Sequence, residues 1–472
     1  MKFPLGGQSK NFNSKKSRAE IINLIAEADK GGDYKAVRKA EGLTEFAVLG
    51  LQPVRSDPLV NAGFMYVVGG STLYRVNLAG TVETLGVVGG SGRAKIKANS
   101  IPGDSQILVL NGSGAGYVYT NAGGLVSITD VDFFSSSSVT VLEERFWFAR
   151  DSTNEFFGSD LSNGTSYNPL TFGSADESPD NVEAVVAKKS ALWVLGSETC
   201  QYLQTFNDPD FPLRNVKGAS KEWGILNVDT LAEINDFFAF FADDRTVQLV
   251  QGTQLIEISD LDFELKVKGD GTLANPGFTV VDDAYGFFVE GPVRSIYYLT
   301  FPTEGYTWGY DVKTGMSHQR SSEDLGYWRV SGSAKFGTKI ICGDAITGQL
   351  WELDQSNRTE NGGILRTTLV TPSISLPKNM TISLIELDME VALTDDPNND
   401  PTLIVQYTKD GGNNWTSKAP ISLGAYGNHR ARVPLRQFGR LVRHKDFAIR
   451  LITTGAFDVK YYGAEMDAEV SM

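Results

Sequence analysis

Cysteine is nearly missing from this chain. Cys200 and Cys342 are the two among 472 residues, too few for the disulfide framework that staples small secreted domains. Histidine is almost as scarce: His318, His429 and His444 lie 15 or more residues apart. None pairs with a cysteine at metal-ligand spacing, which removes a zinc site. Long apolar runs are also lacking; the longest, near residues 237–242, is far short of the ~20 residues that span a bilayer. The opening stretch MKFPLGGQSK has no apolar core of the kind a secretory signal needs. These absences predict a soluble protein made in a reducing compartment, with neither signal peptide nor transmembrane segment.

Basic charge is in the minority, with 43 Lys and Arg against 57 Asp and Glu and a net charge of −14. A general nucleic-acid binder, which grips phosphates with a basic surface, is thereby disfavoured. A wall past which a duplex slides is not: acidic groups repel phosphate over roughly a Debye length of ~8 Å. Phosphate-cradling motifs are missing too, since Gly112, Gly114 and Gly116 sit in a strand-to-strand turn and not before a helix. There is no G-x-S-x-G elbow. Asp396, Asn398 and Asp400 imitate the start of a calcium loop, but Pro401 stands where that loop needs glycine and Tyr407 where it needs glutamate. No catalytic residue, metal ligand or cofactor is expected.

What the chain has in excess is glycine, 49 residues or about 10% against a usual ~7%, as many tight turns would require. Runs at 139–142, 146–149, 182–186, 191–195 and 200–203 are β-branched or aromatic, each cut off by a charged or glycine turn. They are too short for an amphipathic helix and right for strands, and the turns EER, AKKSA and GSE join them as antiparallel hairpins. The same plan recurs at 63–86, 105–129, 230–258, 278–315 and 337–354. A loose period of roughly 40–50 residues without intervening helices predicts a β-propeller-like domain of six or seven four-stranded blades over 63–354. Trp147, Trp193, Trp308 and Trp351 fall inside strand runs and are expected in the packing between blades.

Residues 1–62 read as an N-terminal arm that packs on the body or on a neighbour. Its apolar patch EIINLIAEA at 20–28 breaks alternation too soon to choose between helix and strand. Residues 364–472 carry longer alternating strands and predict a jelly-roll-like β-sandwich. The fold class is therefore all-β. The C-terminal tail is basic within an acidic protein, through Arg430, Arg432, Arg436, Arg440, Arg443, His444, Lys445 and Arg450. The first five arginines are candidates for an interface to an acidic partner or a neighbouring subunit. Thr408, Asp410, Gly412 and Trp415 match the pattern S/T-x-D-x-G-x-x-W, which resembles the Asp-box of sialidases and related propellers. That pattern is a hairpin clasp, and a glycan-binding or sialidase-like propeller is the alternative it leaves open.

The order of several stretches is more specific. INLIAEAD at 22–29, EGLTEFAVLG at 41–50, MYVVGGSTLYRVN at 65–77, LEERFWFARDSTNEFFGSDLSNG at 142–164, the run 178–213, YTKDGGNNWT at 407–416 and the run 438–466 together resemble the tail hub, or packaged-DNA stabilisation, proteins of short-tailed bacteriophages. That family is related in design to phage nozzle proteins. Glu41 stands where relatives tend to carry proline. The resemblance implies a non-enzymatic virion protein, present in the host cytoplasm during assembly. It implies a homo-oligomer, a six-fold ring below the portal and its adaptor protein, that seals packaged DNA. Such a ring carries tailspikes, fibres or a plug and passes double-stranded DNA as cargo, without sequence specificity, on ejection. The same resemblance makes the sandwich a platform domain and extends the interface of Arg430, Arg432, Arg436, Arg440 and Arg443 to the adaptor. It also makes Asp243, Asp244, Asp260, Asp262 and Glu264 candidates for an acidic channel lining.

Overall fold

The computed structural model describes residues 2–3, 5, 19–28, 34–176, 178–208, 211–216, 218–273, 275–375, 378–393, 401–424, 430–443 and 445–470. The calcium-like Asp396, Asn398 and Asp400, and His429 and His444, lie outside them, as does the side chain of Arg430.

Short β-branched and aromatic runs become strands because tight turns reverse the chain after each. The EER turn places Glu143 and Glu144 at φ 51° and 61°, so that Leu142 pairs directly with Arg145, a two-residue hairpin that matches strand twist. Repeated, this builds six consecutive four-stranded antiparallel blades, opening at Leu59–Asn61, Lys95–Ala98, Ser138–Leu142, Val182–Lys188, Ala232–Ile234 and Tyr285–Glu290, the first five separate sheets and the sixth part of a larger one. The seventh combines Val330–Phe336, Lys339–Asp344 and Gln349–Asp354 with Gly42–Val48 as its outer strand, Asp354 pairing with Gly42 and Gln349 with Val48. The propeller thus has seven blades, and its circle closes by hydrogen bonds between segments some 300 residues apart.

Gly42 allows that closure. A Cβ there would stand 2.2 Å from the Thr359 carbonyl oxygen. Apolar clusters fill each gap between neighbouring blades and an eighth fills the sandwich. Trp147, Trp193, Trp308 and Trp351 are all buried in the inter-blade clusters, where each fully buried large side chain contributes about 1.5–3 kcal/mol or more.

Among the described residues one α-helix interrupts the hairpin series, Leu261–Lys268 between blades 5 and 6. Asp260 caps it by accepting the Phe263 N–H at 2.8 Å, acids occupy its first turn and lysines its last, as the helix dipole favours. No helix among the described residues is long and apolar enough to cross a membrane.

The sandwich packs two sheets. The first runs in the order Leu24–Ala28, Tyr34–Lys39, Asp458–Val470, Met380–Leu393, Arg430–Leu441. The second contains Glu20–Ile22, Thr367–Val370, Asp446–Thr453 and Thr402–Thr408. The alternation in 20–28 breaks because the chain changes sheets at Asn23, which has φ 55°. Its Nδ2 donates to the carbonyls of Ser321 and Arg366, both at 2.8 Å, and its Oδ1 accepts the Ser321 N–H at 3.0 Å. On the near side Ile22 pairs in parallel with Gln319 of blade 6, so one sheet continues from propeller into sandwich.

Candidate assembly surface and the propeller axis

Among the described residues, strand Arg430–Leu441 pairs on one side only, with Met380–Leu393, which makes it a sheet edge there. Its alternation buries Val433, Leu435, Phe438 and Leu441 and leaves Arg432, Arg436 and Arg440 exposed. A bulge with Gln437 at φ 66° and Gly439 at φ 69° bends the edge, a device that discourages indiscriminate strand pairing. Arg443 follows the strand, exposed, its N–H donating to Asn379 Oδ1.

Across the same outer face the charge reverses. Asp388 stands opposite Arg432, and Arg432 pairs with Glu386 at 3.4 Å. One strand further in, Glu465, Asp467 and Glu469 are exposed at every second position, in register with Glu386, Leu384 and Thr381. With strands ~4.8 Å apart, a basic edge gives way to an acidic row within about 10 Å. The acidic row was legible in the alternating charges of 458–470 and 380–390, but the arginines drew the reading instead.

The five carboxylates expected in a channel lining separate into small groups near blades 5 and 6. Asp243 and Asp244 are exposed in the turn after Phe237–Phe241. Asp243 accepts the Gly224 N–H at 3.1 Å and Asp244 accepts from Thr246. Burial, with Glu264 and Asp244 nearby, raises the carboxyl pKa of Glu257. Asp260 accepts the Ser317 hydroxyl as well as capping the helix, and Glu264 pairs with Lys268 at 3.1 Å. Asp262 is pushed up to about 6, by burial first and then by Asp260 and Glu20.

The Asp-box residues form a clasp. Thr408 Oγ1 donates to Asp410 Oδ1 at 2.7 Å and accepts the Gly412 N–H, and Asp410 also accepts the Asn414 N–H at 3.0 Å. Those bonds to Asn414 and Thr408 hold the Asp410 carboxyl far below its ordinary range. Trp415 lies under the Arg450 guanidinium, 4.0 Å from the ring centre. Thr408, Asp410 and Gly412 are thus bonded within the turn, and Trp415 ties it to the strand Asp446–Thr453.

Ion pairs span the axis of the propeller. Lys97 from blade 2 and Lys188 from blade 4 both reach Glu233 of blade 5, at 2.6 and 3.1 Å, and Lys95 reaches Asp229 at 2.8 Å. Burial alone would raise the Glu233 carboxyl; the two lysines outweigh it and hold the group down to about 2. His318 is buried in blade 6 against the Tyr298 hydroxyl, and burial lowers it to about 3, so it is a neutral core group. Among the described residues no cluster of His, Cys, Asp and Glu could hold a metal ion.

Seven blades around an ion-paired axis, joined through a shared sheet to a sandwich with a charge-graded face, define an all-β protein of the propeller-plus-sandwich class. Two family profiles match this chain, "Bacteriophage P22 Gp10, beta-propeller" over residues 1–358 and "Bacteriophage P22 Gp10, beta-sandwich" over residues 366–469. The chain belongs to the bacteriophage P22 Gp10 family of phage structural proteins, the tail hub and DNA stabilisation family that its sequence resembles. A comparison with curated proteins gives no match. Among solved structures it is similar to a streptogramin B lyase (11% identity, 67% of this chain, 98% of that one, TM-score 0.45). It is also similar to virginiamycin B lyase from Staphylococcus aureus (8%, 66%, 98%, 0.45) and BamB from Moraxella catarrhalis (10%, 71%, 94%, 0.38). Nothing about chemistry follows from likenesses at this level.

Proposed function

We propose that this protein is a tail hub or nozzle subunit of the virion, forming a ring below the portal and adaptor. The ring seals packaged DNA, carries tail appendages and forms part of the ejection conduit. The observation that carries the reading is the graded outer face of the sandwich, basic at the open edge and acidic one strand beyond its neighbour. A neighbour's basic edge can meet the acidic row of this face, and head-to-tail contacts of that kind close into a ring when the rotation permits. Exposed pairs of this kind are each worth about 0–1 kcal/mol, so the contact gains strength by repetition around the ring and by adaptor binding.

In this reading the sandwich, residues 364–472, is the platform between subunits. Arg430, Arg432, Arg436, Arg440 and Arg443 meet a neighbour or the adaptor, and the propeller, residues 63–354 with strands 42–48 and 59–61, projects outward. Asp243, Asp244, Asp260, Asp262 and Glu264 face passing DNA and repel it. Native mass spectrometry and negative-stain imaging, with and without adaptor protein, test the proposal. Closed rings, six-fold by expectation, support it; a strict monomer under both conditions overturns it.

A further inference from the structure

A cavity of about 660 Å³ opens where the sandwich meets blades 6 and 7. Six cations stand in its wall, Arg38, Lys39, Arg294, Lys313, Arg320 and Arg358, against two acids, Glu27 and Glu41. This excess lies within a chain whose net charge is −14. The nearby carboxylates are already shared. Asp458 accepts from both Arg38 and Arg358; Glu27 serves Arg294 and Lys460, and Glu41 serves Arg294.

Donors remain over. Arg320 and Arg358 are 1% and 7% exposed, and the Nε of each has no hydrogen-bond acceptor among the described residues. Lys39, 2% exposed, donates to the Gly455 carbonyl, and burial followed by the charge of Arg358 lowers it to about 8. Guanidinium groups do not shed their protons, so the wall stays positive at neutral pH. Buried donors without acceptors cost free energy that a ligand oxygen recovers. Apolar side chains complete the lining, Val289, Ile296, Ile340 and Leu353 with Trp328, and the volume falls in the range of about 300–1,000 Å³ usual for small-molecule sites.

We infer that this cavity binds a small polyanion through its carboxylate or phosphate oxygens, the arginine forks taking the oxygens and the apolar wall taking the carbon skeleton. The residues that meet here, 26–27 and 38–41 from the sandwich strands and 353–358 leaving blade 7, border the connections between the two bodies. A bound polyanion therefore fastens sandwich to propeller. This inference is independent of the ring.

Isothermal titration and thermal unfolding of the full chain test it, with citrate and with inorganic pyrophosphate as probes and sodium chloride at matched ionic strength as the reference. One saturable site per chain, with Kd below about 1 mM and a saturable rise in Tm, is expected for at least one probe. Response to citrate alone assigns a carboxylate ligand, response to pyrophosphate alone a phosphate one. Arg294→Gln and Lys313→Gln, the latter at an exposed position, should each weaken binding about tenfold or more. Lys189→Gln, far away on blade 4, should leave it unchanged. No saturable binding of either probe, or binding that both cavity variants leave intact, overturns the inference.

Discussion

Replacing Asn23 should uncouple the two bodies more than any surface change. The side chain makes three hydrogen bonds of 2.8–3.0 Å to backbone groups of Ser321 and Arg366 while 2% exposed. Truncation leaves those buried groups unpaired, at about 1 kcal/mol each once partial hydration is allowed, about 3 kcal/mol together. Alanine adds about 1 kcal/mol for holding a Cβ residue at φ 55°; glycine does not. Asn23→Ala should therefore cost about 4 kcal/mol and Asn23→Gly about 3. Equilibrium urea unfolding followed by circular dichroism reads the difference. With a slope of about 2 kcal/mol per M, the sandwich transition should move down by about 2 M for alanine and about 1.5 M for glycine. An alanine variant within about 0.5 kcal/mol of the parent, or a glycine variant less stable than alanine, would refute the reasoning.

Gly42→Val should open blade 7, because the new side chain meets the Thr359 carbonyl where 2.2 Å is available to Cβ; a loss of about 2 kcal/mol or more and new protease cleavage in 42–48 are the expected readouts. Glu233 contributes stability that is complete above the ordinary glutamate range near ~4.3 and is lost as pH falls toward its folded value of about 2. Glu233→Gln should accordingly flatten this part of the acid limb in stability measured from pH 7 to 2. Reversing Arg432, Arg436 and Arg440 together to glutamate should leave the subunit folded, since all three are exposed, and abolish ring formation in native mass spectrometry. Rings of the parent chain should loosen as salt rises from 0.05 to 0.5 M, judged by light scattering; salt-independent rings would remove charge from the explanation.

The sequence showed the hairpins clearly because each strand is local, its period and its turn lying within ten residues of one another. Runs read at 139–142 and 191–195 lie in strands Ser138–Leu142 and Ala191–Gly196, and the four strand tryptophans pack between blades as expected. Non-local pairing was not legible. Nothing near Gly42 announces that it will face Asp354, so the seventh blade could not be separated from a six-bladed count. Alternation failed at Asn23 because a change of sheet turns consecutive residues toward different cores. The helix Leu261–Lys268 was missed although Asp260, its acidic first turn and its lysines formed a complete start-and-stop signal. Charge at the sandwich was half read: the arginines stand out along one strand and its end, whereas the alternating acids of Asp458–Val470 are placed two strands in from them only by the register of three strands.

Val37 hydrogen-bonds beside Tyr461 in the sandwich, and Gly42 beside Asp354 in the propeller. A ribosome adding about 5–20 residues per second needs roughly 20–85 s to travel from Val37 to Tyr461 and roughly 15–60 s from Gly42 to Asp354. For those intervals the nascent strands 34–39 and 42–48 wait with open edges while six blades form behind them. Synthesis therefore delivers an unclosed subunit first, and subunits become competent to associate only after the late strands have emerged and captured the early ones.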